Sequence, residues 1–441
     1  MSTGYILTVF FIIIILMVIA ISKFKIHASM ALLISGVLLG LFLQFPLGEI
    51  EGLINDGFAN TINSVGIVIF LGSVLGIVLE RTGAATKITK SAIKYFGDKY
   101  IVWALVFSSA LLGIPIWGDT VVILLIPIVS KIALDTGRSM LSLGTILYLG
   151  ALVTASLIPP TPGPVAAAAL LGVPLGEAII WGLIVAIPSV ILATLYALTL
   201  KEHVEPLPEY IDEAEAAEGK ELPSLVASLA PILLPLILIV GNTAISAFAP
   251  DTYLAEVFSF IGSPLAALLS GCILSLTLTG NKWNTKEVLD GYVDKGINAA
   301  AMPIIVTGLG GVLAVFVREA GVADAIAEGV VNFGFPAILI PIILGAVIHI
   351  VTGSNALGVM TAAALVQPML STLGISPLAA FLASGTGALM FKHANSSGFW
   401  VTVTMSNMDV NQGIKGISIA STIAGGVGAI LTVIFHYTGL I

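Results

Sequence analysis

Hydrophobic positions run along this chain in blocks too long for the interior of a soluble domain, and the polar positions that interrupt them recur at matched places. Crossing the hydrocarbon core of a bilayer takes about 20 apolar residues in a helix. Runs of roughly that length cover Tyr5–Ile21, Ala28–Phe45, Ser64–Glu80, Gly176–Leu200, Leu225–Phe248, Ser263–Gly280, Ile297–Val317 and Gly416–Phe435. Two others are longer and broken, Met140–Gly172 at residues 159–164 and Pro377–Ser406 at residues 394–398. Two more regions, Ile101–Ala133 and Pro336–Ser371, read as pairs of short apolar arms around polar tips at 113–120 and 352–355. An arm of about 14 residues, rising 1.5 Å each, reaches some 20 Å, past the midplane but not across.

Positive charge decides how these pieces thread, because cytoplasmic loops are enriched in Lys and Arg. Residues 81–99 carry Arg81, Lys87, Lys90, Lys94 and Lys99, and Lys131 and Arg138 follow the next apolar region. Both groups lie on one side only if Ile101–Ala133 is a re-entrant hairpin. Treating Pro336–Ser371 the same way leaves Arg318 alone on the far side and Lys392 within the membrane. The expected fold is an all-α polytopic membrane protein with about ten spans, two re-entrant helical hairpins, two broken helices and both termini outside. Composition agrees: of 441 residues, 58% are hydrophobic and 10% charged, with a mean hydropathy of +1.10, against about a quarter charged in soluble proteins. The first run lacks a basic start and a small-residue cleavage site, so it reads as a retained helix.

The net charge of −8 comes largely from the hydrophilic stretch within residues 201–224, with eight acidic residues between Glu202 and Glu221. It reads as a flexible cytoplasmic linker between two halves, residues 1–200 and 225–441. The single cysteine, Cys272, excludes an internal disulfide and suits packing.

The halves repeat one another. At an offset of 235 (353 − 118), Gly118-Asp119-Thr120 falls on Gly353-Ser354-Asn355, and Pro160-Thr161-Pro162-Gly163 falls on Asn395-Ser396-Ser397-Gly398. One offset thus aligns both hairpin tips and both helix breaks. The threading enters the shared third helix from opposite sides in the two halves, which makes the repeats inverted. Inverted repeats with paired broken helices belong to secondary transporters, which place substrate and coupling ion at such breaks.

The chemistry these breaks offer follows from their residues. A carboxylate in the membrane costs about 2.5–3.5 kcal/mol on insertion scales, so Asp119 should face an aqueous cavity or partners, as a proton carrier or, ionised, as a cation ligand with Thr120. Helix ends at the tips leave N–H groups for an anion. Thr161 and Gly163 on one side, and Ser354, Asn355, Asn395, Ser396 and Ser397 on the other, supply polar contacts for a small hydroxylated or carboxylated solute. Lys392 can bind a carboxylate, pair with Asp119 or snorkel. His393 can titrate near neutral pH, and His349 is either a ligand or a packing residue. Neither a hydrolase elbow, HExxH, a phosphate loop nor Cys/His metal spacing occurs, so an enzyme has no footing. A channel is the distant alternative, disfavoured by the lack of charged rings.

With these motifs in view, the chain resembles the gluconate:proton symporter (GntP) family of the ion transporter superfamily over nearly its whole length. The resemblance rests on Asp119 in the first tip, Pro159-Pro160-Thr161-Pro162-Gly163-Pro164, Gly353-Ser354, and His393-Ala394-Asn395-Ser396-Ser397-Gly398-Phe399-Trp400. It implies proton-coupled uptake of gluconate or a related sugar acid through the inner membrane, by a homodimer with an elevator-type transport domain and no cofactor beyond the coupling ion. Its partners would be the organic anion and the lipid bilayer, with no nucleic acid. The family pattern has histidines at the positions of Ala155 and Thr161, arginine at that of His349, and usually no lysine at that of Lys392. Fewer titratable groups keep sodium open as the coupling ion, with Asp119, Thr120, Ser354 and Asn355 as oxygen ligands.

Overall fold

The computed structural model describes residues 3–216, 219, 221–322, 336–394 and 396–441, and among these every regular element is helical. In chain order they are α1 (Thr3–Ser22), α2 (Ala28–Phe42), α3 (Leu47–Arg81), α4 (Ala84–Phe96), α5 (Ile101–Gly113), α6 (Gly118–Thr136), α7 (Met140–Leu157), α8 (Pro162–Leu171), α9 (Leu175–Ala197) and α10 (Pro208–Ala216). The second half contributes α11 (Leu225–Phe248), α12 (Tyr253–Ile261), α13 (Pro264–Leu276), α14 (Val293–Glu319), α15 (Leu339–Thr352), α16 (Asn355–Val366), α17 (Pro377–Leu389), α18 (Ser397–Met405) and α19 (Ile419–Tyr437).

Nine described stretches are long and apolar enough to cross a membrane, and eight coincide with expected spans. The count of ten shifts for a physical reason: α2, with 15 residues, and α17, with 13, are apolar but short, while Asn355–Leu373, assigned to a hairpin, reaches spanning length. Both hairpins and both breaks are present. The helices after the breaks restart in register: Thr161 is the N-cap of α8 and Ser396 that of α18, 235 residues apart (396 − 161).

Small residues allow the central crossing of α3 and α14. A β-carbon on Gly57 would lie 2.9 Å from the Gly311 carbonyl oxygen and the Val312 Cα, so the two backbones touch. Around this crossing the halves exchange roles, with α2 packed on α14 and α13 packed on α3. A second body contains α5–α9 and α15–α19. Within it, each hairpin's first arm follows its own half's broken helix, α5 along α7 and α15 along α17. The second arms cross over, so that α6 meets α18 and α16 meets α8. The α3 helix borders this body through Gly72 and Gly76, whose β-carbons would lie 2.9 and 2.6 Å from the carbonyl oxygens of Pro160 and Pro115.

Two segments expected as loops are ordered. Within residues 81–99, α4 buries Ala84, Ala85, Ile88 and Ala92 on one face and sets Lys87, Lys90 and Lys94 at helical spacing on another. The acidic linker, expected to be flexible, is laid along the same end of the bundle. Ser139, the N-cap of α7, donates through Oγ to the Glu202 carbonyl at 2.8 Å and accepts from the Val204 N–H at 3.0 Å. The Met140 N–H donates to the Val204 carbonyl at 2.8 Å, and Asn407 Nδ2 to the Glu205 carbonyl at 3.1 Å. Lys415 Nζ donates to Glu202 Oε1 at 2.5 Å, and Lys131 Nζ to Glu215 Oε1 at 3.0 Å. Unpaired groups at the start of α7 and a basic rim give the acidic strand something to bind, which its composition alone does not reveal.

Candidate functional site

The two tips and two breaks enclose one cavity of about 360 Å3. Of the residues singled out from the sequence, it is lined by Asp119, Thr161, Gly163, Ser354, Asn355, Lys392, Ser396 and Ser397. Thr120, His349 and His393 stand outside the lining, and Asn395 lies outside the described residues.

In the first tip, Trp117 is the N-cap of α6, which starts one residue before Asp119. Asp119 therefore sits in the first helical turn, where the macrodipole favours a negative charge by about 0.3–1 kcal/mol. Its Oδ2 accepts from Ser397 Oγ at 2.5 Å, joining the first tip to the second break. Gly398 follows at the closest point: a β-carbon there would collide with Asp119 Oδ1 and the Tyr148 hydroxyl. Tyr148 itself is fully buried and lines the cavity. Sequence reading missed it, although a lone phenol amid aliphatic residues on α7 requires a polar neighbour, and that was its signal.

The first break is poorer in donors than expected. Pro162 and Pro164 have no N–H, and Thr161 Oγ1 turns back to the carbonyls of Ala155, at 2.8 Å, and Ile158, at 3.0 Å. Gly163 is pressed on the second tip, where its β-carbon would lie 3.0 Å from Ala356 Cα.

The second tip turns at Gly353, whose φ of 71° favours glycine, and α16 begins at Asn355. Ser354 caps it by accepting the Leu357 N–H at 3.3 Å. The N–H groups of Asn355 and Ala356, earlier in the first turn, lie beyond that cap and belong to cavity-lining residues.

Lys392 neither snorkels nor pairs directly with Asp119. It is 3% exposed, and its Nζ donates to Asn355 Oδ1 at 2.5 Å and to the Gly353 carbonyl at 3.2 Å, at the negative end of α15. Asn355 is oriented in turn by its Nδ2, which donates to the Ala388 carbonyl at 2.7 Å. The ammonium has three donors, and the described residues take two of them, leaving the third for a ligand. Phe391, with φ 59°, turns the chain, and the Phe391 and Lys392 N–H groups donate to Thr422 Oγ1 at 3.1 Å and Ser421 Oγ at 3.2 Å on α19.

The histidines take supporting positions. His393 Nε2 donates to the Ile350 carbonyl at 3.1 Å, away from the lining. His349 is fully buried, with Nδ1 donating to the Met390 carbonyl at 2.8 Å, so its Nε2 is a bare acceptor, and it has no partner among the described residues. No group of three His, Cys, Asp or Glu residues placed to hold a metal occurs among the described residues.

A multi-pass helical body around a polar, charge-bearing chamber built at helix ends has the design of a membrane permease. The chain belongs to the GntP family permeases, whose family model matches residues 5–438. It is 34% identical to an uncharacterized permease of Haemophilus influenzae, covering 93% of this chain and 88% of that one. It is 31% identical to a gluconate permease of Pseudomonas aeruginosa, covering 94% of each. A high-affinity gluconate transporter of Escherichia coli is 29% identical over 95% of this chain and 97% of its own length. Among solved structures, the YdaH transporter of Alcanivorax borkumensis superposes with a TM-score of 0.61 over 90% of both chains at 16% identity, a likeness of fold.

Proposed function

We propose that the protein is a secondary active symporter of the inner membrane that carries gluconate or a related sugar acid, coupled to protons through Asp119. The observation that supports this reading is the placement of acidic and basic side chains around one chamber: Asp119 with Ser397 at one side, Lys392 with Asn355 at the other. The volume falls within the 300–1,000 Å3 usual for small-molecule sites. The carboxylate of the solute takes the free Lys392 donor and the N–H groups at the start of α16, while its hydroxyls meet Thr161, Ser354, Ser396 and Ser397. Protonation of Asp119 alters its contact with Ser397 and so links the carried proton to the second break. The body holding the chamber moves against α3 and α14 in an elevator-like step, with Gly72 and Gly76 at the sliding boundary.

Sodium coupling is the second reading, favoured by one observation: the neighbours of Asp119 are hydroxyl oxygens, from Ser397 and Tyr148, suited to a hard cation. Uptake of labelled gluconate into proteoliposomes discriminates. A proton gradient alone is expected to drive accumulation, and Asp119→Asn to abolish it while the protein stays folded. Accumulation that follows sodium and ignores the pH gradient selects the second reading. Normal accumulation by Asp119→Asn removes the coupling role.

A further inference from the structure

A separate cavity of about 390 Å3 lies on the flank of the moving body, between α5 and α9. Phe96 and Trp103 stand at one end, Phe107, Leu183 and Ile187 along the walls, and Ile114 at the hairpin tip. Over the 13 residues of α5 the groove follows about 20 Å of helix, from the membrane surface toward the tip. Leu183 and Ile187 are exposed, as is Phe107, so the groove faces the bilayer.

Basic residues flank the Phe96 end of the groove along the chain. Phe96 is bracketed by Lys94 and Lys99, both exposed and neither in an ion pair with a described residue. The preceding helix α4 adds Lys87 and Lys90 and contains no acidic residue. Asp98, the nearest carboxylate, lines a different cavity together with Lys90 and Lys131. In a chain of net charge −8, this is a local reversal of sign beside an apolar slot. Basic clusters at the cytoplasmic surface attract anionic lipid headgroups, and tryptophan settles at the same depth.

We propose that this groove is a binding site for one anionic phospholipid, with an acyl chain lying between α5 and α9 and the phosphate on Lys94 and Lys99. The lipid would fill the space beside the first hairpin's outer arm and link the resting position of that hairpin to membrane composition. The site is independent of which solute or ion the central chamber carries.

The test uses the purified full-length chain, delipidated in detergent and supplied with phosphatidylglycerol, with phosphatidylcholine of the same acyl chains, or with glycerol phosphate alone. Bound lipids are counted by native mass spectrometry and thermal stability is followed in parallel. Phosphatidylglycerol is expected to be retained at one copy per chain and to raise Tm more than phosphatidylcholine, with glycerol phosphate inert. The double variant Lys94→Ala, Lys99→Ala should equalise the two lipids. Ala110→Trp, or Ile187→Trp should the first fail to fold, should remove the retained copy by filling the slot. Equal retention of the two lipids by the unaltered chain overturns the site, as does retention unaffected by either tryptophan. Stabilisation by glycerol phosphate alone assigns the lysines to a free phosphate instead. A dimer that dissociates in the tryptophan variants assigns the groove to a second copy of the chain.

Discussion

One ammonium group, that of Lys392, holds the second tip and second break together through Asn355 and Gly353. Removing one partner of a buried charge costs about 1–3 kcal/mol or more, so Asn355→Ala should lower thermal stability measurably and weaken substrate binding together. Gly398→Ala tests the opposite corner. Its new methyl group collides with Asp119 and Tyr148, and transport should be lost with little change in the amount of folded protein in the membrane. At this scale the sequence pointed well to charged residues, because a charge in apolar surroundings is conspicuous. Thr120 and the two histidines, also singled out, stand outside the lining. Thr120 differs from Asp119 by one helical step of 100°, and whether it faces the chamber depends on where α6 starts, which pattern alone fixes only within a residue or two. His393 bonds the Ile350 carbonyl instead, a contact invisible before the backbone is seen.

Elements carry the next layer. Hairpins and breaks were legible as lengths of apolar sequence and polar interruptions, and the single offset of 235 located the restart of both broken helices. What escaped was any element whose order comes from docking and not from its own periodicity, above all the linker. The second break is likewise held from outside, by Ser421 and Thr422 of α19. Ser421→Ala would leave the buried Lys392 N–H without its acceptor and should cost about 1–3 kcal/mol of stability, read as a lowered Tm, with a larger loss of uptake because Lys392 is displaced.

For the whole molecule, the docked linker joins the start of α7 in the first half to Asn407 and Lys415 in the second. Val204→Pro, which removes the N–H that Ser139 accepts, should lower Tm, whereas in a merely flexible tether it would leave Tm unchanged. The hydrogen bond from Lys415 holds the Glu202 carboxyl below its ordinary range. A depressed carboxylate contributes above its unfolded pKa, so this contact is intact at neutral pH and is lost as pH falls through the lowered value. Exposed as it is, the pair contributes little by itself, and the strap relies on its backbone hydrogen bonds.

The exchange of partners between hairpins and breaks bears on how such a chain can arise. The first tip closes on the second half's break and the second tip touches both breaks, so neither half builds the chamber alone and a half-length chain would need a second copy, inserted in the opposite sense. In such a self-assembled pair every residue occurs twice. Asp119 and Lys392 each occur once, facing Ser354 and Leu157 at the matched positions, 235 residues away. Division of labour between an acidic and a basic pole became available only after duplication and fusion let the two copies diverge.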